Sequence, residues 1–310
     1  MKRTSILKTA ACLWAATLVV SPAARAQVFT LTKEQLIEFT KANPFERFPN
    51  GRPKVPDALI ERAKGMSMEE VWAVLPAKGY RNQYAGDWQI LHPGRKLVGR
   101  AFTIQFLPSR PDMDAAVNDK SVKENNGRRM SHQFAIDQLQ PGDVLVVDMF
   151  GRKDLGPIIG DNLFYYIMKT TKGGGIIVDG ALRDIEGLAE IDGANAYYRS
   201  AHPSAISGVT VSGINVPIRI GDATVMPGDL VMADREGVYF IPPQFAEEIL
   251  DKADETHIHD EWTKKKFDEG KYVSSEIYSS PRDPALRKEY QDYLKLKLDE
   301  LKKSRAAAGK

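Results

Sequence analysis

The sequence predicts an α/β fold with parallel strand pairs at its centre. Two near-continuous apolar runs, residues 143–150 and 175–179, are typical of strands buried on both faces of a sheet. A turn and helical pattern over residues 160–174 lies between them. A short helical stretch at 183–192 then leads to a third strand-like segment at 195–201. This alternation of strand and helix favours parallel pairing of the three strands.

Helices are expected before this core. Residues 31–44 predict a helix in which Thr32 and Gln35 match a capping box, a pattern that marks helix starts. Residues 55–80 predict two more helical stretches, separated at Gly65. An α-helical segment therefore precedes the main domain.

Strands and helices flank the core on its other sides. Residues 96–107 are rich in β-branched and aromatic residues and predict a strand. Residues 208–242 alternate short apolar stretches with Gly-Asp and Pro-Gly-Asp turns, which predicts antiparallel strands. Residues 244–270 predict a long helix, and residues 283–304 predict a charged amphipathic one.

These patterns divide the chain into four parts. We expect a secretory signal over residues 1–26 and an N-terminal helical segment over 27–88. The α/β domain is expected over 89–245, followed by a C-terminal helical extension over 246–310.

The first part has the layout of a signal peptide. A basic start precedes a short apolar core, and the small residues Ala24 and Ala26 occupy the two positions that a signal peptidase reads, with cleavage expected after Ala26. The interpretation predicts a periplasmic or secreted protein that does not associate with a membrane after cleavage. An uncleaved membrane anchor is the alternative interpretation.

Charge and cysteine content exclude several functional classes for the mature chain. The full sequence has a formal net charge of +2, and residues 1–26 contain four basic residues and no acidic one. Their removal leaves a slightly acidic chain, so nothing in the net charge favours nucleic-acid binding. The single cysteine, Cys12, leaves with the signal. The mature chain is therefore expected to have no disulfide, thiolate nucleophile or cysteine-bound metal.

Polar residues follow two of the predicted buried strands. The segment "GPIIGDNL" (156–163) follows the first run, and "VDGALRD" (178–184) ends the second. In open α/β sheets, ligands collect outside the carboxyl ends of the strands. We therefore expect Asp161, Arg183 and Asp184 to share one crevice.

The first of these segments begins a helix at Asp161. Backbone N–H groups of Asn162, Leu163 and Phe164 would be free at the helix start, where they could bind a carboxylate or phosphate. The alternative is that Asp161 only caps the helix.

The second segment supplies an adjacent Arg and Asp. A carboxylate such as that of Asp184 is a hard oxygen ligand suited to Mg²⁺ or Mn²⁺, and Arg183 could pair with a substrate carboxylate. Gly180 is interpreted as a sharp bend after the strand. The alternative is a capping Asp184 beside a solvated Arg183.

The spacing of these residues resembles a known family signature. Asp161 of "GDNL" is separated by 21 residues (162–182) from Arg183-Asp184, a spacing similar to the D-x20-R-D signature of the 4-hydroxy-4-methyl-2-oxoglutarate aldolase family. That family also includes the RraA-type regulators of ribonuclease E. "GRKLVGRAFTIQ" (94–105) and "VMPGDLVMADREGVYFIP" (225–242) agree with it, and the resemblance covers roughly residues 90–280. The chain departs from the family in a spacing one residue longer, an added N-terminal segment and a secretion signal.

The resemblance implies both a fold and an activity. The fold would be an RraA-like α/β/β/α sandwich with helical N- and C-terminal extensions. The activity would be that of a class II, metal-dependent pyruvate aldolase, a lyase that releases pyruvate from a 4-hydroxy-2-oxo acid and could also decarboxylate oxaloacetate. The alternative within the family is a non-catalytic RraA-type binding or regulatory protein.

The resemblance also implies roles for individual residues. Asp184 would bind Mg²⁺ or Mn²⁺, and Asp161 would hold a water on that metal. The 2-oxo acid substrate would be held by five residues: Gly160, Asp161, Asn162, Leu163 and Arg183.

A further acid is implied from a neighbouring subunit. Family members form trimeric rings, sometimes paired into hexamers, so a homo-oligomer is expected. Glu261 on the late helix best matches the acidic residue that reaches the neighbouring site. The alternative for Glu261 is a solvated helix carboxylate.

Overall fold

The computed structural model describes residues 30–124, 127, 131–154 and 156–308. The predicted signal, residues 1–26, lies outside these residues. The α-helices in the described part of the chain, in order, are α1 (Lys33–Phe39), α2 (Asp57–Lys64), α3 (Met68–Trp72), α4 (Val74–Ala77), α5 (Pro111–Glu124), α6 (Ser131–Ile136), α7 (Asp161–Thr171), α8 (Ile185–Ala189), α9 (Ala246–Asp268), α10 (Ser274–Ile277) and α11 (Pro284–Ala308).

The strands alternate with these helices in the centre of the chain. In order they are β1 (Tyr84–Ala85), β2 (Gln89–Ile90), β3 (Leu97–Pro108), β4 (Asp143–Asp148), β5 (Ile176–Leu182), β6 (Ala196–Ala201), β7 (Val209–Ile214), β8 (Ile218–Ile220), β9 (Ala223–Val225), β10 (Leu230–Ala233) and β11 (Val238–Ile241).

Nine of these strands form one mixed sheet. Its order is β1-β11-β10-β3-β4-β5-β6-β2, and β7 pairs with the far half of β3. The central pairs β3–β4, β4–β5 and β5–β6 are parallel, whereas the flanking pairs are antiparallel. Strands β8 and β9 form a separate antiparallel hairpin. The predicted α/β class with a parallel centre is therefore confirmed.

The two faces of the sheet are covered differently. On one face, α5 to α8 pack on the central strands around Phe102, Phe164 and Ile167. Helices α2, α3 and α9 cover the same face over β10 and β11, around Val71 and Leu250. The β8–β9 hairpin covers the opposite face. The result is a layered sandwich in which the parallel strands are buried on both sides, as their apolar sequences require.

The predicted start of the first helix is confirmed. Thr32 accepts a hydrogen bond from the Gln35 N–H, and the Gln35 side chain accepts one from the Thr32 N–H. Gly65 ends α2, as its position after the helical pattern predicts.

One local expectation near the site is wrong. The strand predicted over 175–179 continues to Leu182, so Gly180 lies inside β5 and is not the bend after it. The pairing with β6 is irregular between Val178 and Ala181. A side chain at Gly180 would come within 2.8 Å of Met149 Cβ, just beyond the end of β4. Glycine is needed here because two backbones approach closely.

The N-terminal segment is joined to the centre of the sheet by a buried ion pair. The two terminal nitrogens of Arg52 each donate to an Asp143 carboxylate oxygen at 2.8 Å, and both residues are almost fully buried. The guanidinium also lies over the Phe48 ring, 4.2 Å from its centroid. Such a bidentate pair fixes the geometry of the segment on the first residue of β4.

In the part of the chain that the structure describes, no helix is both long and apolar enough to span a lipid bilayer.

Candidate functional site

Strands β4 and β5 end beside each other, and the candidate site is built on the segments that follow them. The two strands are parallel, with Asp148 opposite Asp179. The chain after β4 returns to begin α7 at Asp161, and the chain after β5 begins α8 at Ile185. Helices α7 and α8 pack against each other. This topology brings two helix starts together at one edge of the sheet.

Gly160, Arg183 and Asp184 are in close contact. A side chain at Gly160 would overlap Asp184 Oδ2 and come within 3.1 Å of Arg183 Nε and Nη2. The Arg183 Nε lies 3.8 Å from Asp184 Oδ2. The backbone just before α7 therefore lies directly against the Arg-Asp pair, which only glycine permits at this distance.

Asp161 packs on the neighbouring helix start. A side chain at Gly187 in α8 would lie 3.1 Å from Asp161 Cβ and 3.4 Å from Asp161 Oδ2. The structure thus places Asp161 against α8, one turn beyond Asp184. The expectation that Asp161, Arg183 and Asp184 share one region agrees with this placement, whereas their chemical roles remain predictions.

The helix start at α7 differs in detail from expectation. The Asn162 N–H donates to Asp161 Oδ1 at 2.8 Å, and the Phe164 N–H donates to the Gly160 carbonyl at 3.0 Å. Neither group is therefore free, contrary to the sequence-based prediction. The Leu163 N–H has no hydrogen-bond acceptor among the described residues. Of the three N–H groups that were predicted to be free, the Leu163 N–H is therefore the one that can bind an anion.

Neither Asp161 nor Asp184 caps its helix through its side chain. Gly160, not Asp161, occupies the capping position of α7. Asp184 does occupy that position in α8, with a left-handed backbone (φ 56°), but its side chain makes no capping hydrogen bond. The capping alternative is therefore wrong for Asp161, whereas Asp184 does occupy the capping position, without a capping hydrogen bond from its side chain. Both carboxylates keep lone pairs for other partners. A left-handed non-glycine residue costs backbone energy, and such residues cluster at functional sites.

The Arg-Asp pair is open to solvent. The Arg183 side chain is 36% exposed and that of Asp184 is 43% exposed. Within the described residues, no group of three or more His, Cys, Asp or Glu side chains could enclose a metal ion. One accessible carboxylate still fits Mg²⁺, which keeps several waters and is commonly held by one or two protein carboxylates. The donor set therefore suits a largely hydrated divalent ion on Asp184.

Glu261 lies in a different part of the chain. It is exposed on α9, which packs with α2, α3, α10 and α11. It interacts with Tyr293 on α11, whose pKa is raised by burial and by the charge of Glu261. Among the described residues, no contact joins Glu261 to Arg183 or Asp184. Its expected role across a subunit boundary stays a prediction.

A buried charged cluster supports the strand ends from the opposite face. Asp148 and Asp179 are almost fully buried, and Arg199 Nε donates to Asp179 Oδ1 at 2.6 Å. The Arg199 guanidinium stacks 3.7 Å from the Trp88 ring centroid. Burial raises the pKa of Asp148, and the charge of Asp179 adds to this effect. Sequence reasoning missed this cluster, although Asp148 lies near the end of the first apolar run and Asp179 ends the second.

The fold and the arrangement around Arg183 and Asp184 define a class of protein. The model of the RraA-like family (Aldolase/RraA) matches residues 55–240. The chain belongs to this family.

Curated relatives carry aldolase names. A protein of Halalkalibacterium halodurans named "Putative 4-hydroxy-4-methyl-2-oxoglutarate aldolase" is 32% identical over 142 residues, which cover 46% of this chain and 66% of that protein. Protein DlpA of Legionella pneumophila is 28% identical over 171 residues, or 52% of this chain and 24% of DlpA. The matched stretches thus span less than two thirds of either relative.

Solved structures share the fold. The crystal structure of Streptomyces coelicolor RraAS2, described as an unusual member of the RNase ES inhibitor RraA protein family, superposes with a TM-score of 0.58 at 29% identity. The match covers 69% of this chain and all of RraAS2. An uncharacterized protein from Pseudomonas syringae pv. tomato gives a TM-score of 0.60 at 21% identity, covering 75% of this chain and 96% of that one. The α/β sandwich is therefore the fold of RraA-like proteins.

Proposed function

We propose that this protein is a divalent-metal-dependent carbon–carbon lyase that cleaves a 4-hydroxy-2-oxo acid and releases pyruvate. One observation carries the proposal: Arg183 and Asp184 lie against the Gly160 backbone, with Asp161 on the adjacent helix start. Family membership and the aldolase names of the relatives support it.

The substrate would be held at its carboxylate end. Arg183 offers an accessible guanidinium, which can donate two parallel hydrogen bonds to a carboxylate. The Leu163 N–H, at the positive end of α7, can donate a third. The other substrate-binding residues, Gly160 and Asn162, complete the turn that forms this side of the site.

Asp184 would hold Mg²⁺ or Mn²⁺ with waters. When bound, the ion supplies Lewis-acid polarisation of the 2-oxo group and so stabilises negative charge on its oxygen. Asp184 remains accessible because its side chain is not used in capping the helix.

Asp161 would accept the proton that the substrate loses. Asp161 Oδ2 lies at the packed contact with Gly187, and the described residues offer it no hydrogen-bond donor. It can therefore accept the proton of the C4 hydroxyl, directly or through one water. As that proton leaves, the C3–C4 bond breaks, C4 becomes a carbonyl, and the bonding electrons form the pyruvate enolate. Arg183 stabilises the enolate charge until a proton returned to C3 gives pyruvate.

The same site would accept oxaloacetate. Loss of CO₂ from its C4 carboxylate leaves the same pyruvate enolate, so Arg183 would act in the same way. This second reaction requires no proton acceptor at C4, and therefore depends less on Asp161.

Location is proposed from the signal-like sequence of residues 1–26, and assembly is proposed from the family resemblance. The protein would act in the periplasm or outside the cell as a homotrimer or hexamer. In that assembly Glu261 of one subunit would approach the site of the next and assist proton transfer.

A non-catalytic RraA-type binding function is the second candidate. It is favoured by the match to RraAS2, which extends over the whole of that chain. The two candidates differ in metal chemistry, because a binding protein needs no metal at Asp184.

A screen of 2-oxo acids tests the proposal. The purified protein is incubated with 4-hydroxy-2-oxo acids and oxaloacetate, with Mg²⁺, with Mn²⁺ or with chelator, and pyruvate is measured by a coupled dehydrogenase assay. We expect pyruvate formation that is lost on chelation. If no pyruvate forms and calorimetry detects no metal binding, the second candidate is favoured and the lyase proposal fails.

A further inference from the structure

Two turns of the chain share the sequence Pro-Gly-Asp and the same hydrogen-bond geometry. Gln140-Pro-Gly-Asp143 leads into β4, and Met226-Pro-Gly-Asp229 leads into β10. In the first, the Gln140 N–H donates to Asp143 Oδ2 at 2.9 Å; in the second, the Met226 N–H donates to Asp229 Oδ2 at 2.8 Å. Each Asp N–H returns a hydrogen bond to the carbonyl of the turn's first residue. Both strands flank β3, so the two turns are structural equivalents.

The two buried carboxylates differ in their counter-charge. Asp143 is 0% exposed and is neutralised by both terminal nitrogens of Arg52. Asp229 is 1% exposed, yet among the described residues the Met226 N–H is its one hydrogen-bond donor and no cation pairs with it. Burial raises the pKa of Asp229 to about 7. A carboxylate buried without a cation is costly, so the site favours any cation that can reach it.

Asp229 is one of the residues that line a cleft. The cleft has a volume of about 430 Å³ and lies between the end of α1, the segment before β1 and the turn after β11. Its walls are largely apolar and aromatic and include Phe39, Tyr80, Met226 and Pro243. Phe39 is 57% exposed and Tyr80 is 38% exposed, so both rings are available to a ligand.

The charges around the cleft favour a cation. Besides Asp229, the titratable or charged lining groups are Glu38, Lys41 and Tyr80. Glu38 and Lys41 form an exposed pair at 3.1 Å and neutralise each other. An ionised Asp229 therefore leaves the lining with a net negative charge. Aromatic walls add to the preference, because ring faces attract ammonium and guanidinium groups.

We propose that this cleft, the Asp229 cleft, binds an organic cation: a guanidinium, amidinium or primary ammonium group on a short apolar or aromatic body. The cationic group would pair with Asp229 Oδ1, as Arg52 pairs with the equivalent Asp143, while the body lies between Phe39 and Tyr80. Arg52 also stacks on Phe48, 4.2 Å from its ring centroid, which shows how a guanidinium satisfies such a turn. The 2-oxo acids proposed as substrates are anions, so this ligand belongs to a separate site.

Calorimetric titration with benzamidine at pH 8 tests the proposal, with wild type compared to Asp229→Asn. The Asn side chain can still accept the Met226 N–H, so the turn is kept while the charge is removed. Glu38→Gln is the matched control, because it removes an exposed charge from the same cleft. We expect Asp229→Asn to weaken binding by about tenfold or more and Glu38→Gln to change it by less than about threefold.

The cation could instead be an Arg or Lys side chain of a second copy of this chain. Light scattering measures the self-association of the same variants. It therefore distinguishes a small organic cation from a side chain of a second copy. Loss of self-association in Asp229→Asn, without benzamidine binding to wild type, would assign the cation to a second copy. Equal benzamidine binding by wild type and Asp229→Asn would overturn the proposal. So would absence of binding together with unchanged self-association.

Discussion

At the scale of single residues, the candidate site depends on two glycines that hold two acids in place. Gly160 permits contact with Asp184 and Arg183, and Gly187 permits contact with Asp161. The sequence identified Asp161, Arg183 and Asp184 because they follow strand ends. It could not identify Gly187, because its contact with Asp161 joins two helices that are separated along the chain.

Substitution of the two glycines should reduce pyruvate release to different extents. Gly160→Ala places a methyl group on Asp184 Oδ2, so we expect pyruvate release to fall by about tenfold or more as the pair is displaced. Gly187→Ala requires Asp161 to move only a few tenths of an ångström, so a loss within about threefold is expected. Both variants are assayed with circular dichroism as a fold control. Equal losses in the two variants would contradict the assigned contacts.

Asp229 gives a pH prediction for stability. Because burial raises its pKa to about 7 in the folded protein, the folded state binds a proton that the unfolded state releases near pH 4. This carboxyl therefore lowers stability as pH rises from about 4 to about 7. Asp229→Asn should gain stability relative to wild type by roughly 1 kcal/mol per pH unit over that window.

Urea denaturation of wild type and Asp229→Asn at pH 5, 6, 7 and 8 measures this difference. Other titrating groups cancel in the comparison. A stability difference that is constant with pH would show that Asp229 is not protonated by burial.

At the scale of elements, local patterns were predictable and long-range contacts were not. The capping box at Thr32 and Gln35 was read correctly because both partners lie within one helical turn. The end of β5 was misplaced because an apolar pattern does not reveal the irregular pairing around Gly180. Helices α5 and α6 were not predicted, since polar and charged residues dominate their surroundings and leave little apolar periodicity.

The link between Arg52 and Asp143 gives a prediction about the N-terminal segment. Arg52→Met leaves the Asp143 carboxylate buried without its cation, which should lower the free energy of unfolding by about 3–5 kcal/mol. Arg110→Met is the control, because Arg110 and Asp112 form a solvent-exposed pair and little change is expected. Urea denaturation measures both. A similar small effect of the two substitutions would show that the N-terminal segment does not depend on the buried pair.

At the scale of the whole molecule, the fold class and family could be predicted from the residues, whereas assembly was expected only from the family resemblance. Continuous apolar runs and their alternation with helices specify a parallel centre, because such strands must be covered on both faces. The structure places Glu261 beside Tyr293 of α11, away from Arg183. Whether it reaches a neighbouring site depends on contacts between chains, and no periodicity within one sequence specifies these.

Pyruvate release by Asp184→Asn tests the central claim most directly. Asn is chosen because it tolerates the left-handed backbone at this position while removing the charge that would hold the metal. Glu190→Gln, an exposed carboxylate at the other end of α8, is the matched control. The account predicts that metal-dependent pyruvate release falls by about 100-fold or more in Asp184→Asn and stays near wild type in Glu190→Gln. Undiminished metal-dependent release by Asp184→Asn would contradict it.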